Sequence, residues 1–272
     1  MNWPVFFTRL GSAIVFAAIM MLGLLYPNPF AIFSLAILIQ FFCIKEFLSL
    51  IARIYPDNYF PRWLTWVTQI AGVLVIIAIP MLRMEPGYAV ILLIVPALIL
   101  LATILSKKTA LIAGFASIAG LLYLSLPMAM LVTLRGSFHF SIPLALILMI
   151  WMNDTMAYIV GSFIGRTPFS PISPKKTWEG TAGGAVLTVA GAAVWGYCSG
   201  LKQYQMTDWI VLSLLAAVAG TAGDLLESKL KRLAGVKDSG NLMPGHGGAL
   251  DRFDSLLVTL PFAFCYAVFF MS

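Results

Sequence analysis

Few residues of this chain carry charge: 10% of the 272 positions are Asp, Glu, Lys or Arg, against 61% that are hydrophobic. That balance excludes an ordinary water-soluble globule, in which roughly a quarter of residues are charged. Cysteine is nearly missing as well. Cys43, Cys198 and Cys265 lie far apart in apolar surroundings, with no zinc spacing and no disulfide framework, which leaves packing as their role. The two histidines, His139 and His246, fall on opposite sides in the topology derived below, so neither completes an imidazole metal site. No low-complexity tail and no internal repeat is visible, and the lack of repeat symmetry speaks against a secondary transporter. Acids are scarcest in residues 1–140, which hold Glu46, Asp57 and Glu85 alone.

Long uncharged runs are what the sequence does have. A membrane span needs roughly 20 apolar residues, and about nine runs qualify: 11–26, 29–50, 63–82, 87–106, 110–134, 142–164, 180–200, 208–227 and 253–271. The expected fold class is all-α: a polytopic integral membrane protein of about nine transmembrane helices. The first run follows a single base, Arg9, lacks a small-x-small cleavage site and is soon followed by another span, so it is expected to be retained.

Charge placement sets an orientation. Alternate loops put Arg9, Lys45, Arg53, Arg62, Lys107, Lys108, Arg166, Lys175, Lys176, Lys229, Lys231, Arg232, Lys237 and Arg252 on one side, and Arg83, Arg135 and Lys202 on the other. Fourteen bases against three places the N-terminus in the cytoplasm by the positive-inside rule. Residues 1–272 are read as a single membrane domain. Its first part, 1–140, is mainly scaffold; 141–272 carries the remaining eight acids and the two longest polar loops, 165–179 and 228–252.

Candidate chemistry concentrates in that second part. Asp154 sits within an apolar run, where a carboxylate is costly unless it faces a polar cavity or a cation, or else ties helices together by hydrogen bonds. Pro168, Pro171 and Pro174 stiffen the next loop around Lys175 and Lys176, which act either as a topology anchor or as a phosphate clamp. Thr177 is placed to cap the following helix. Glu179 could orient a lysine or touch a metal. Asp224, Ser228, Lys231 and Arg232 follow at helical spacing and share one face, with Glu227 able to pair with Lys231 at i+4.

Residues 224–255 then gather five acids, five bases and five glycines. The turn Pro244–Gly248, with Gly247 and Gly248, lacks the Gly-Lys-Ser/Thr of a Walker loop but suits an anion nest. His246 within it serves either phosphate or the turn itself. Asp251 and Asp254, three apart around Arg252, call for a cation beside them. With Asp224 and Asp238 they offer oxygen ligands without a Cys/His set, which favours Mg²⁺ over zinc and leaves a second cation open.

The run Ser228-x-x-Lys231-Arg232, Lys237-Asp238, Pro244-x-His246-Gly247-Gly248-x-x-Asp251-Arg252-x-Asp254 resembles the signature of phosphatidate cytidylyltransferases, also called CDP-diacylglycerol synthases. Asp154 and its surroundings, and the segment 173–180, resemble the family's other segments in the same order, so the resemblance covers about residues 150–256. Met243 stands where Leu, Ile or Phe is usual, and Ala249 where a larger aliphatic is usual.

What the resemblance implies is transfer of a cytidylyl group from CTP to phosphatidate, giving CDP-diacylglycerol and pyrophosphate, with Mg²⁺, by a multi-span homodimer; the charge count puts the catalytic pocket on the cytoplasmic side of the C-terminal half. The resemblance also implies metal-binding roles for Asp224, Asp238, Asp251 and Asp254, and phosphate contacts from Lys175, Lys176, Lys231, Arg232, Lys237 and Arg252. Asp224, Lys237, Asp238, Asp251 and Arg252 form the expected catalytic group. Asp154, Thr177, Glu179, Ser228, His246, Gly247 and Gly248 join those bases as expected substrate-binding residues. A bacterial inner membrane is the expected location. The alternatives are a CTP-dependent polyprenol kinase and a transporter of a phosphorylated solute or lipid.

Overall fold

The structure, a computed structural model, describes residues 3–82, 84–242 and 247–271, with side chains from residue 10 onward. Its helices are α1 (Trp3–Leu25), α2 (Pro29–Ile54), α3 (Arg62–Met81), α4 (Ala89–Leu105), α5 (Leu111–Gly120), α6 (Leu126–Ser137), α7 (Ser141–Ile164), α8 (Trp178–Cys198), α9 (Met206–Leu233) and α10 (Leu250–Phe270). Between α7 and α8 lie two short antiparallel strands, β1 (Pro168–Ser170) and β2 (Ser173–Thr177). Without water to satisfy the backbone, a bilayer admits helices because each closes its own hydrogen bonds.

Among the described residues eight stretches are long and apolar enough to cross a membrane, and Leu10–Leu25 is a shorter apolar helix beside them. The protein is an all-α polytopic integral membrane protein. The run expected at 110–134 forms one span, Leu111–Ser137, with a local change of pitch. A π-turn at Leu121–Ser125 joins α5 to α6. Pro127 explains it: the ring lacks an N–H and crowds the carbonyl four residues back, so the ladder slips by one residue.

The chain divides into two compact units, Met1–Phe140 with Leu230–Phe253, and Ser141–Lys229 with Asp254–Ser272. The first is built on α2, α3, α4, α5 and α6. Leu64, Ala71, Val95, Ile99, Ala113 and Leu121 form a buried apolar cluster there. Gln40 Nε2 donates across to the Gln69 carbonyl oxygen at 3.2 Å, and Gln69 Nε2 donates to the Phe41 carbonyl oxygen at 2.7 Å. Amide bonds of this kind hold spans together where apolar side chains gain little by leaving lipid.

In the second unit α7 and α8 meet through small residues. A side chain at Gly180 would strike the Ala157 carbonyl and Gly161, and one at Gly184 would strike the Ala157 backbone, so the two helices approach as closely as their backbones allow. Trp209 on α9 is buried and fills the space above Gly196.

Candidate active site

Two groups of polar side chains emerge, one in each unit. In the second unit, α9 and α10 pack through Gly220 and Gly223, which face Ser255, Thr259 and the Asp254 backbone. This close crossing places Asp254 of α10 beside Asp224 and Glu227 of α9, one helical step of three apart. One carboxylate oxygen from each of the three lies within 4.8 Å of the others. Glu227 is fully buried, while Asp224 and Asp254 are half-buried. Three like charges this close disfavour one another unless a cation lies among them, and the set is able to hold a divalent ion.

Lys176 supplies one cation, in an ion pair with Asp224. Ser228 Oγ donates to Asp224 Oδ1 at 3.2 Å, one turn along the helix, as the spacing of four predicts. Asp254 Oδ1 accepts from the Ser255 N–H at 2.7 Å. Gly223 is the hinge of this geometry, since a Cβ there would collide with the Asp254 backbone carbonyl. Gly223→Ala is expected to cost about 1–3 kcal/mol of stability through overpacking and to push Asp254 away from Asp224. A lowered melting temperature together with reduced turnover would be the signature; an unchanged pair of values would contradict the close crossing.

The stiff loop at 165–179 is a β-hairpin. Pro168 pairs with Thr177 and Ser170 with Ser173, so Lys175 and Lys176 are carried on β2 rather than on irregular chain. Thr177 caps α8, its hydroxyl accepting from the Gly180 N–H at 3.1 Å. Glu179 does not reach either lysine. Its oxygens accept from the Arg166 N–H at 3.1 Å, the Thr167 N–H at 3.2 Å and the Thr167 hydroxyl at 2.8 Å, which closes the base of the hairpin. Lys175 is exposed. Asp154 lies on the exposed side of α7, with Tyr158 one turn on, while Asn153 is buried.

The first unit holds a second arrangement, around Asp251 at the start of α10. Lys231 Nζ meets Asp251 Oδ1 at 2.5 Å. Asp251 Oδ2 accepts from the N–H of Ser239 at 2.9 Å, the Ser239 hydroxyl at 2.9 Å and the N–H of Gly248 at 2.8 Å. Gly247 sits at φ +80°, a left-handed conformation that suits glycine, and a Cβ there would meet the Asp251 carboxylate.

Arg232 donates to the Val236 carbonyl oxygen at 3.2 Å and so closes the turn after α9. Lys237, Asp238 and Arg252 are exposed. His246, with Pro244 and Met243, lies outside the described residues.

Glu46 carries weight that its sequence context conceals. Its oxygens accept from the Ala249 N–H at 2.9 Å, the Leu250 N–H at 2.8 Å and the Ser239 hydroxyl at 2.7 Å. A carboxylate from α2 thus satisfies the first amides of α10 and complements the positive end of its dipole. In the sequence Glu46 is one acid at the soft end of an apolar run, and nothing marks a partner some 200 residues away. Ser239 was equally unmarked. Glu227 was visible, but as a partner for Lys231; the Lys231 ammonium meets Asp251, and Glu227 stands with Asp224 and Asp254.

The chain matches the cytidylyltransferase family over residues 7–270. It is 46% identical over 116 residues to the phosphatidate cytidylyltransferase of Bacillus subtilis, a stretch covering 42% of this chain and 43% of that protein. Against the protein of the same name from Synechocystis sp. it is 46% identical over 123 residues, 44% of this chain and 40% of that one. The Haemophilus influenzae phosphatidate cytidylyltransferase is 40% identical over 128 residues, 46% of this chain and 44% of its own length. The chain therefore spans less than half the length of each of these curated relatives that it matches. The family match runs through both units and takes in the helices that carry Asp224, Glu227, Asp251 and Asp254, and on that extent this chain belongs to the cytidylyltransferase family.

Proposed function

We propose that this protein transfers the cytidylyl group of CTP to phosphatidate, giving CDP-diacylglycerol and pyrophosphate for phospholipid biosynthesis. The observation that carries the reading is the convergence of Asp224, Glu227 and Asp254, with Lys176 against Asp224. The family match and the names of the relatives support the same substrates. The proposed setting is a bacterial inner membrane, with the N-terminus and the site facing the cytoplasm and two copies forming a homodimer.

The donor set fits Mg²⁺. All three groups are carboxylates, the hard oxygen donors that Mg²⁺ takes, and one oxygen from each lies within 4.8 Å of the others. Asp224, Glu227 and Asp254 would hold the ion. When bound, it supplies positive charge against the triphosphate of CTP. A second cation, and the expected participation of Asp238, remain part of the proposal for the complete metal site.

The remaining work falls to the chain itself. A phosphate monoester has a second pKa near 6 and is largely dianionic at neutral pH, so the lipid oxygen attacks the α-phosphorus without a side-chain base. The bond from that oxygen to phosphorus forms as the bond to the bridging oxygen of pyrophosphate breaks, and pyrophosphate departs with its electron pair. Lys176 moves from Asp224 to a phosphate oxygen as CTP enters, and Lys175 beside it on β2 offers a further ammonium. Such fixed cations, aimed where charge develops, are commonly the largest catalytic contribution. Lys237 and Arg252, both exposed, are proposed to meet phosphate as well. Asp251, paired with Lys231, holds Ser239 and Gly248 in place, and His246, Gly247 and Gly248 belong to the proposed anion nest.

CTP labelled with ³²P separates the readings. Purified protein with phosphatidate and Mg²⁺ is expected to move α-label into lipid and to leave γ-label in pyrophosphate. Lipid that takes up γ-label would instead indicate a kinase. Label in neither form would end the enzyme reading and return a transporter to consideration.

A further inference from the structure

Within the first unit, α2 and α3 line a cavity of about 450 Å³, whose lining residues do not include Asp251. Its walls are mostly apolar: Phe41, Leu48, Phe60 and Trp66 line it, and the Phe41 and Trp66 rings lie 6.2 Å apart. Two bases join them, Lys45 of α2 and Arg62 in the first turn of α3. Both are exposed, and among the described residues neither meets an acid.

The start of α3 adds to this positive field. Pro61 precedes the helix and offers no side chain to its first amides, and the Leu64 N–H is taken by the Pro61 carbonyl oxygen at 3.1 Å, so the N–H groups of Arg62 and Trp63 and the helix dipole remain to face an anion. Trp66 is 60% exposed one turn further in, and Trp63 also reaches the surface. Tryptophans at the end of an apolar helix mark the level where headgroup gives way to acyl chain.

We propose that this cavity is a binding site for an anionic phospholipid. The phosphodiester sits between Lys45, Arg62 and the first two amides of α3, and the first part of an acyl chain lies against Phe41, Leu48 and Trp66. Charge complementarity selects the occupant. A zwitterionic lipid would bring its own cation to two bases, while a soluble phosphate would leave the aromatic wall uncovered. Basic pockets between spans bind lipid headgroups by this chemistry. Recognition is of lipid phosphate in general, and the site is independent of the cytidylyl-transfer reading.

Native mass spectrometry of the purified full chain tests it, with phosphatidylglycerol and phosphatidylcholine of identical acyl chains supplied in equal amount and no CTP. Wild-type protein is expected to retain phosphatidylglycerol about tenfold over phosphatidylcholine. Lys45→Gln with Arg62→Gln should reduce that preference to about onefold, and each single change should reduce it part of the way. Lys107→Gln with Lys108→Gln, equally exposed bases elsewhere in this unit, should leave it intact. Because the four side chains are exposed, melting temperatures should remain near wild type, and the single variants carry the test if the double variant does not assemble. An undiminished preference in the Lys45/Arg62 variants overturns the proposal. Displacement of the lipid from wild type by millimolar inorganic phosphate does so too, since it would reveal a plain anion site.

Discussion

Glu227→Gln is expected to lower CTP turnover by about a hundredfold and to raise the Mg²⁺ concentration needed for half-maximal rate. Weakening one preorganised electrostatic element that faces the developing charge typically costs 10²–10³ in kcat, and Glu227→Gln would weaken the hold on such an element, because a carboxamide is a much poorer ligand for a hard cation than a carboxylate. The change is nearly isosteric, so packing around this fully buried side chain should survive. Asp254→Asn should behave in the same way, because its oxygen belongs to the same group of three.

A useful comparison is Asp208→Asn. Asp208 is also buried on α9, but it accepts from the Tyr266 hydroxyl and the Gln205 N–H and lies at the opposite end of the helix. Its loss should lower melting temperature without moving the Mg²⁺ midpoint. Initial rates across a Mg²⁺ titration, on protein shown to be monodisperse, decide the matter. If Glu227→Gln and Asp254→Asn keep the wild-type midpoint and rate, the three acids have no part in holding the ion.

The second large effect is expected at Glu46. Glu46→Ala removes the acceptor for three donors, the amides of Ala249 and Leu250 and the hydroxyl of Ser239. Hydrogen bonds to a charged group contribute about 1.5–3 kcal/mol each. Water can partly replace what is lost, so about 3 kcal/mol in total is a reasonable expectation. For a chain of this size that is a fall of roughly 6–12 °C in melting temperature.

Glu46→Gln keeps one acceptor oxygen and should fall between the variant and wild type. Thermal unfolding in detergent provides the measurement. A melting temperature for Glu46→Ala within error of wild type would show that α10 begins correctly without α2. Asp251 is anchored by similar bonds in the same unit, from Ser239 and Gly248, which predicts that its substitution acts through those two residues as well as through charge.

Much of the scaffold could be read from the order of residues. Uncharged runs of about 20 residues are self-sufficient in a bilayer, since helical hydrogen bonds are local and apolar side chains need no particular partner. The boundaries of α2, α3, α7 and α8 follow those runs, and Thr177 caps α8 as its position relative to Gly180 requires. Spacing also placed Asp224 and Ser228 on one face. Local rules reach no further than a few turns. The hairpin at 168–177 escaped them because three prolines read as stiffened coil, although proline tolerates the edge of a short strand.

The partners of the acids were beyond the reach of such rules. By itself the sequence determined that this chain lies in a membrane, that its ionisable groups crowd into the C-terminal half, and that their kinds suit phosphate and a hard cation. Tertiary structure alone decided that Asp254 joins Asp224 and Glu227, that Asp251 faces Lys231 and Ser239, and that Glu46 secures the start of α10. The physical reason is range: a helix is written in contacts four residues apart, whereas a carboxylate's partner is chosen by which backbones can approach, and glycines such as Gly223 set that approach between segments distant in the chain.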